Sequence, residues 1–165
     1  MPKITFQDKV FIAGSNGMVG SSIVRKLLNL GFDLNQNNGG LILPKRKDLD
    51  LLNNEKVNEF FSLIKPNIVI LAAAKVGGIY ANSTYSGDFI LENLKIQTNV
   101  IESAWRFGTK RLLFLGSSCI YPKYAKQPIE EESLLSGPLE PTNDSYAVAK
   151  IAGVKLCESL RKQYG

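Results

Sequence analysis

Hydrophobic positions along the chain follow two rhythms. Short unbroken apolar runs alternate with stretches in which apolar residues recur every three or four positions. Val10-Phe11-Ile12-Ala13, Leu41-Ile42-Leu43, Asn67 to Ala72 and Arg111 to Leu115 are the runs. They stop at Gly14, Pro44, the small residues after Ala72, and Gly116. They read as strands of a parallel sheet buried on both faces. Met18, Val19, Ile23, Val24, Leu27, Leu28 and Leu30 have helical spacing, ended by Gly31. Val57, Phe60, Phe61 and Ile64 mark a second helix, with Asn53 as its N-cap and Pro66 closing it. A long amphipathic helix is expected over Asp88–Phe107 and a last one over Ser145–Gln163. Asn35–Gly40 reads as a polar turn. Ala73–Gly78 is a small-residue stretch that leads into a polar loop to about Gly87, and Ser117–Asn143 is a long loop rich in Pro and Glu. Any strand near Asp48–Leu52 has to be short. Strand and helix alternate four times, which predicts an α/β fold with a parallel sheet and right-handed crossovers.

Composition narrows the function. The chain has 165 residues, 44% hydrophobic, enough to bury one core as a single domain. No apolar run approaches the ~18 residues of a membrane span. Met1 to Lys9 carries Asp8 and lacks an apolar segment, so no secretory signal is expected and a cytoplasmic location is. The absence of histidine removes Ser-His-Asp catalysis and most zinc chemistry. Cys119 and Cys157 fit no metal-ligand spacing, so no metal is expected. The net charge of +5 is spread along the chain, with one short knot at Lys45-Arg46-Lys47. A phosphorylated small molecule is a better anion for it than nucleic acid.

Gly14-Ser15-Asn16-Gly17-Met18-Val19-Gly20 is GxxGxxG between the first strand and the first helix. In that place Gly14 permits the tight turn, Gly17 admits a pyrophosphate close to the backbone, and Gly20 lets helix pack on strand. The N–H groups opening the helix then face the phosphates. After the second strand, Lys45 and Arg46 favour a ribose 2′-phosphate, hence NADP over NAD. Asp48 and Asp50 follow and are placed to hold the adenine edge.

Tyr146-Ala147-Val148-Ala149-Lys150 puts tyrosine and lysine on one helical face. An ammonium beside a phenol lowers its pKa, which suits a proton donor to a ketone. Ser117 stands at the carboxyl end of the preceding strand, where open parallel sheets bind ligands. Either Ser117 or Ser118 is a candidate for holding the reacting oxygen. Cys119 is near enough in sequence to act as a thiol acid or base, or to be a small buried hydrophobe. Cys157 reads as the latter.

The glycine loop, the string from Ala72 to Ile79 (AAAKVGGI), the string from Gly116 to Lys123 (GSSCIYPK), Glu140-Pro141-Thr142-Asn143 and the string from Tyr146 to Gly153 (YAVAKIAG) together resemble the GDP-L-fucose synthase family. That family lies within the extended short-chain dehydrogenase/reductases, and the resemblance runs from about Lys9 to Gly165. It implies a Rossmann-type doubly wound parallel sheet that binds NADP. The implied activity is 3,5-epimerisation and 4-reduction of GDP-4-keto-6-deoxy-D-mannose. By resemblance, Tyr146 is the proton donor, Lys150 lowers its pKa and binds the nicotinamide ribose, Ser117 hydrogen-bonds the substrate oxygen, and Cys119 belongs to the epimerisation acid/base pair. Gly14, Ser15, Asn16, Gly17, Met18, Val19 and Gly20 would bind pyrophosphate, and Arg46 the 2′-phosphate. Leu115, Gly116, Ser117 and Ser118 would line the coenzyme.

Two departures stand out. Family members often carry arginine where this chain has Asn16, which leaves Lys45 and Arg46 to recognise the 2′-phosphate. The family is also about twice as long, with a C-terminal part that binds the GDP-sugar and supplies a catalytic histidine. The expectation is therefore an NADP-binding domain over residues 1–165, truncated before the substrate domain. It would bind nucleotide, show little or no epimerase turnover, and leave a sheet edge exposed. The full-length form is expected to dimerise through the helices near 88–107 and 145–163. The rival readings are another nucleotide-sugar epimerase or dehydratase, a non-catalytic nucleotide-binding module, and nucleic-acid binding through Lys45 to Lys47.

Overall fold

Four strands align in parallel, and three of them are almost wholly buried. The computed structural model describes residues 4–34 and 39–165. The strands are β1 (Lys9–Ala13), β2 (Gly40–Ile42), β3 (Ile68–Leu71) and β4 (Arg111–Phe114). Their order in the sheet is β2-β1-β3-β4, and every pairing is parallel. The helices are α1 (Met18–Asn29), α2 (Asn54–Ile64), α3 (Ile79–Thr84), α4 (Ser86–Arg106) and α5 (Asp144–Tyr164).

Alternation along β1 shows why the sheet is covered on both faces. Val10 and Ile12 point to one side and cluster with Leu41, Ile68, Ile70 and Phe32, against Ile23, Val24 and Leu27 of α1. Phe11 points the other way and meets Phe60 and Phe61 of α2, with centroids 4.9 and 5.7 Å away. The sheet is therefore doubly wound. Asn53 caps α2 by accepting a hydrogen bond from the Lys56 amide. Lys65 ends the helix in the left-handed region, just before the buried Pro66. The buried Asp8 carboxylate accepts a 2.9 Å bond from Lys110, tying the segment before β1 to the segment before β4. Its pKa is held below the usual carboxylate value, first by the Thr5 backbone amide and then by Lys110.

The differences from expectation have local causes. The polar turn falls largely on residues 35–38, outside the described residues. No strand forms near Asp48–Leu52. Asn99 of α4 instead donates to the Leu51 carbonyl at 2.8 Å and accepts from the Asn54 side chain at 3.0 Å, so side chains do what a ladder would do there. The loop expected before Gly87 contains α3. Its large residues Ile79 and Tyr80 are exposed and only Asn82 is buried, so it carries no apolar stripe. The loop after Ser117 holds 3-10 turns at Ser118–Ile120 and Glu131–Ser133. Strand β4 closes the sheet on one side and is its least covered strand, with Leu113 half exposed.

The chain divides into two compact units. One comprises Met1–Ala74 with Ile96–Leu115, and holds the whole sheet. The other comprises Lys75–Lys95 with Gly116–Gly165. No helix among the described residues is long and apolar enough to cross a membrane.

Candidate functional site

The glycine loop lies in the sheet-bearing unit, at the carboxyl end of β1. There the chain order reverses, since β1 has β2 on one side and β3 on the other. Gly14 has φ +83°, and a Cβ on it would sit 2.7 Å from the Ala73 nitrogen, just past the end of β3. A Cβ on Gly20 would lie 2.1 Å from the Gly14 carbonyl oxygen. Both positions therefore demand glycine, one for backbone conformation and both for close approach. Gly17 donates its amide to the Gly14 carbonyl at 3.0 Å and is the N-cap of α1, with no side chain of its own to satisfy the first turn. By helix geometry the first-turn amides lack intrahelical acceptors. That turn contains no acidic residue, and Met18 is 88% exposed. These features fit a diphosphate held by backbone N–H groups and the positive helix end. Ser15 is buried and Asn16 exposed.

Beyond β2, Lys45, Arg46 and Lys47 are exposed on a tight turn. The Asp48 carboxylate accepts from the Lys45 amide at 3.3 Å, and Asp50 accepts from the Leu52 amide at 3.1 Å. Asp48 thus braces the turn that presents the cations, while Asp50 bonds forward to the segment leading into α2. Leu115, the last sheet-side residue of the expected coenzyme lining, donates its amide to the Leu71 carbonyl.

The second unit gathers four chemistry-bearing side chains. Tyr146 and Lys150 lie on consecutive turns of α5, with the lysine Nζ 5.9 Å from the phenol ring centroid. Lys150 is buried, and burial lowers its pKa to about 8. Burial also pushes the Tyr146 phenol above its ordinary value; a hydrogen bond with Ser117 opposes the shift and the Cys119 charge reinforces it. In this chain burial is the largest influence on the phenol. The ammonium sits towards the face of the ring, and its own charge is disfavoured by burial, so desolvation wins.

Ser117 is the serine beside Tyr146, and its Oγ accepts from the Cys119 amide at 3.3 Å. Ser118 is exposed and opens the 3-10 turn. Cys119 is a half-buried free thiol whose Sγ accepts from Asn143 Nδ2 at 3.1 Å. Cys157 is also free and half-buried, and burial raises its thiol pKa.

Other polar residues were not singled out individually by the sequence reading. Asn93 holds both backbone groups of Lys75, accepting from its amide and donating to its carbonyl, each at 2.9 Å. Asn82 donates to the Gly77 and Gly78 carbonyls at 2.8 and 3.1 Å. Lys75 pairs with Glu92 and, at 3.8 Å, with Asp88. The path of this segment is thus fixed by side-chain amides. Lys123 pairs with Glu140 at 2.9 Å, and Glu140 also accepts from Thr142, which braces the turn into α5. The AAAKVGGI and EPTN strings were the only signals of these contacts.

Comparison with known proteins gives the same direction. Residues 10–165 match the family model described as "NAD dependent epimerase/dehydratase family". A protein of Arabidopsis thaliana named "Putative GDP-L-fucose synthase 2" is 59% identical over 94% of this chain and 46% of its own length. GDP-L-fucose synthase of Escherichia coli is 54% identical over 96% of this chain and 48% of its own. The solved structure of MlghC, a GDP-mannoheptose C4 reductase from Campylobacter jejuni with NADP bound, superposes with a TM-score of 0.91 at 42% identity, over 99% of this chain and 50% of that one. The chain spans about half the length of the curated relatives it matches. The chain belongs to the NAD dependent epimerase/dehydratase family.

Proposed function

We propose that this chain is the NADP-binding domain of an enzyme that epimerises a GDP-4-keto-6-deoxyhexose at C3 and C5 and reduces its C4 ketone to GDP-L-fucose. The observation that carries the reading is the cluster of Ser117, Cys119, Tyr146 and Lys150 in one unit of a chain that opens on a diphosphate-type glycine loop. The strong likeness to proteins named for GDP-sugar chemistry supports it.

In this reading the first-turn amides from Met18 to Gly20 hold the diphosphate, and Lys45 and Arg46 hold the 2′-phosphate. Leu115, Gly116 and Ser118 line the coenzyme. When bound there, NADPH would supply the hydride for C4. Tyr146 delivers the balancing proton to the C4 oxygen, and Ser117 holds that oxygen by a hydrogen bond. Burial raises the pKa of the phenol above its ordinary value. Lys150, with its proton loosened by burial, orients the nicotinamide ribose and resupplies the phenol. Epimerisation precedes reduction, because the ketone acidifies the neighbouring C–H bonds. Cys119 is one of the two groups that remove and return those protons.

The test supplies GDP-4-keto-6-deoxymannose and NADPH to the complete protein. GDP-L-fucose is the expected product. Tyr146→Phe should reduce the C4-reduction rate at least ~100-fold while NADPH still binds. An undiminished rate in that variant, or a different sugar product, overturns the assignment.

A further inference from the structure

We propose that Asn143 is a positioning residue for Cys119, its side-chain amide donating to the sulfur and holding it in place for proton abstraction. The proposal rests on the reading of Cys119 as an epimerisation acid/base. It adds the group that holds the thiol.

Asn143 stands at the N-cap of α5, where an asparagine side chain normally accepts a hydrogen bond from an amide of the first turn. Here it makes no cap bond. Its Nδ2 instead lies 3.1 Å from Cys119 Sγ. Its Oδ1 is buried and has no hydrogen-bond partner among the described residues. A cap bond would have satisfied that oxygen, so the fold gives up a local stabilisation to aim the amide at sulfur.

Both ends of the contact are held. The Asn143 amide donates to the Glu140 carbonyl at 3.1 Å, and its own carbonyl accepts from the Ala147 amide at 3.0 Å. The Lys123–Glu140 pair and the Thr142 bonds stiffen the same turn. On the other side, the Cys119 amide is bonded to Ser117 Oγ. A donor fixed on sulfur holds the atom in one place and supports negative charge that it carries. The titratable neighbours are the Tyr146 phenol, whose own titration responds to the Cys119 charge, and Lys150 one turn further along α5. Neither replaces the direct N–H donor.

The test reads the thiol and not turnover. In a Cys157→Ser background, the rate of Cys119 alkylation by iodoacetamide is followed against pH in the complete protein. Asn143→Ser and Asn143→Asp both leave a residue type favoured at a helix N-cap, and both remove the side-chain amide. The expected result is about tenfold slower alkylation near neutral pH in the serine variant. The aspartate variant should be slower still, with no fall in melting temperature for either. Profiles that coincide with the parent in both variants overturn the proposal. If Cys119→Ser still epimerises its substrate, the role given to Cys119 fails. The alkylation profiles would continue to decide the Asn143 contact by themselves.

Discussion

Burial sets the chemistry of the Tyr146–Lys150 pair more than the charge of either partner. The sequence shows that the two share a helical face. It does not show that Lys150 is almost wholly enclosed. That enclosure disfavours the ammonium form of Lys150 itself. It also has a consequence for stability. The folded chain releases the Lys150 proton near pH 8, the unfolded chain only near the ordinary value of 10.5. Between those values the unfolded state binds more protons, so raising the pH favours folding. Compared with Lys150→Met, the parent should therefore gain roughly 1 kcal/mol for each pH unit from about 8 towards 10.5, measured by denaturant unfolding. A flat or falling difference across that window would show that burial does not govern the lysine. Residue-scale legibility was uneven for the same reason. Spacing in the chain pairs Tyr146 with Lys150, but it cannot choose Ser117 over Ser118, because the choice depends on which hydroxyl the 3-10 turn leaves beside the phenol. Asn143 was legible only as part of a string, since its contact to Cys119 spans the long intervening loop.

Among the elements, the turn from β1 into α1 was fully legible. A glycine pattern encodes backbone geometry directly, and the geometry needs no distant partner to be inferred. Gly14 and Gly20 are irreplaceable for steric reasons alone. Gly20→Ala should cost roughly 3 kcal/mol or more, since its Cβ would meet the Gly14 backbone and not a movable side chain. Gly87→Ala is the matching control. It lies in the first turn of α4 with nothing within 4 Å of its Cβ, and it should raise stability by about 0.5–1 kcal/mol. Thermal melts of the two variants check both. Similar shifts in the two would show that the close approach at Gly20 is not a constraint. The short helix α3 was illegible because its large residues face outward, and the segment near Asp48–Leu52 because Asn99 supplies its hydrogen bonds from far along the chain.

For the whole molecule, the alternation of apolar runs and helical stripes was enough to give a parallel doubly wound sheet, and the order β2-β1-β3-β4 puts the glycine loop where the chain reverses direction across the sheet. The candidate site residues are divided between the two units. One carries the glycine loop and the basic turn after β2; the other carries Ser117, Cys119, Tyr146, Lys150 and the amide-held segment after Lys75. Coenzyme binding and proton transfer should therefore be separable by mutation. Met18 offers the cleanest handle, because it is 88% exposed and sits in the first turn of α1, where a carboxylate is favourable for the helix and repulsive to a phosphate. The most direct measurement is a titration of the chain with NADPH, repeated with NADH and with Met18→Glu. Saturable NADPH binding is expected, about tenfold or more tighter than NADH and weakened at least about tenfold by Met18→Glu without loss of melting temperature. Absence of saturable binding, or binding that the new carboxylate leaves unchanged, would contradict the account.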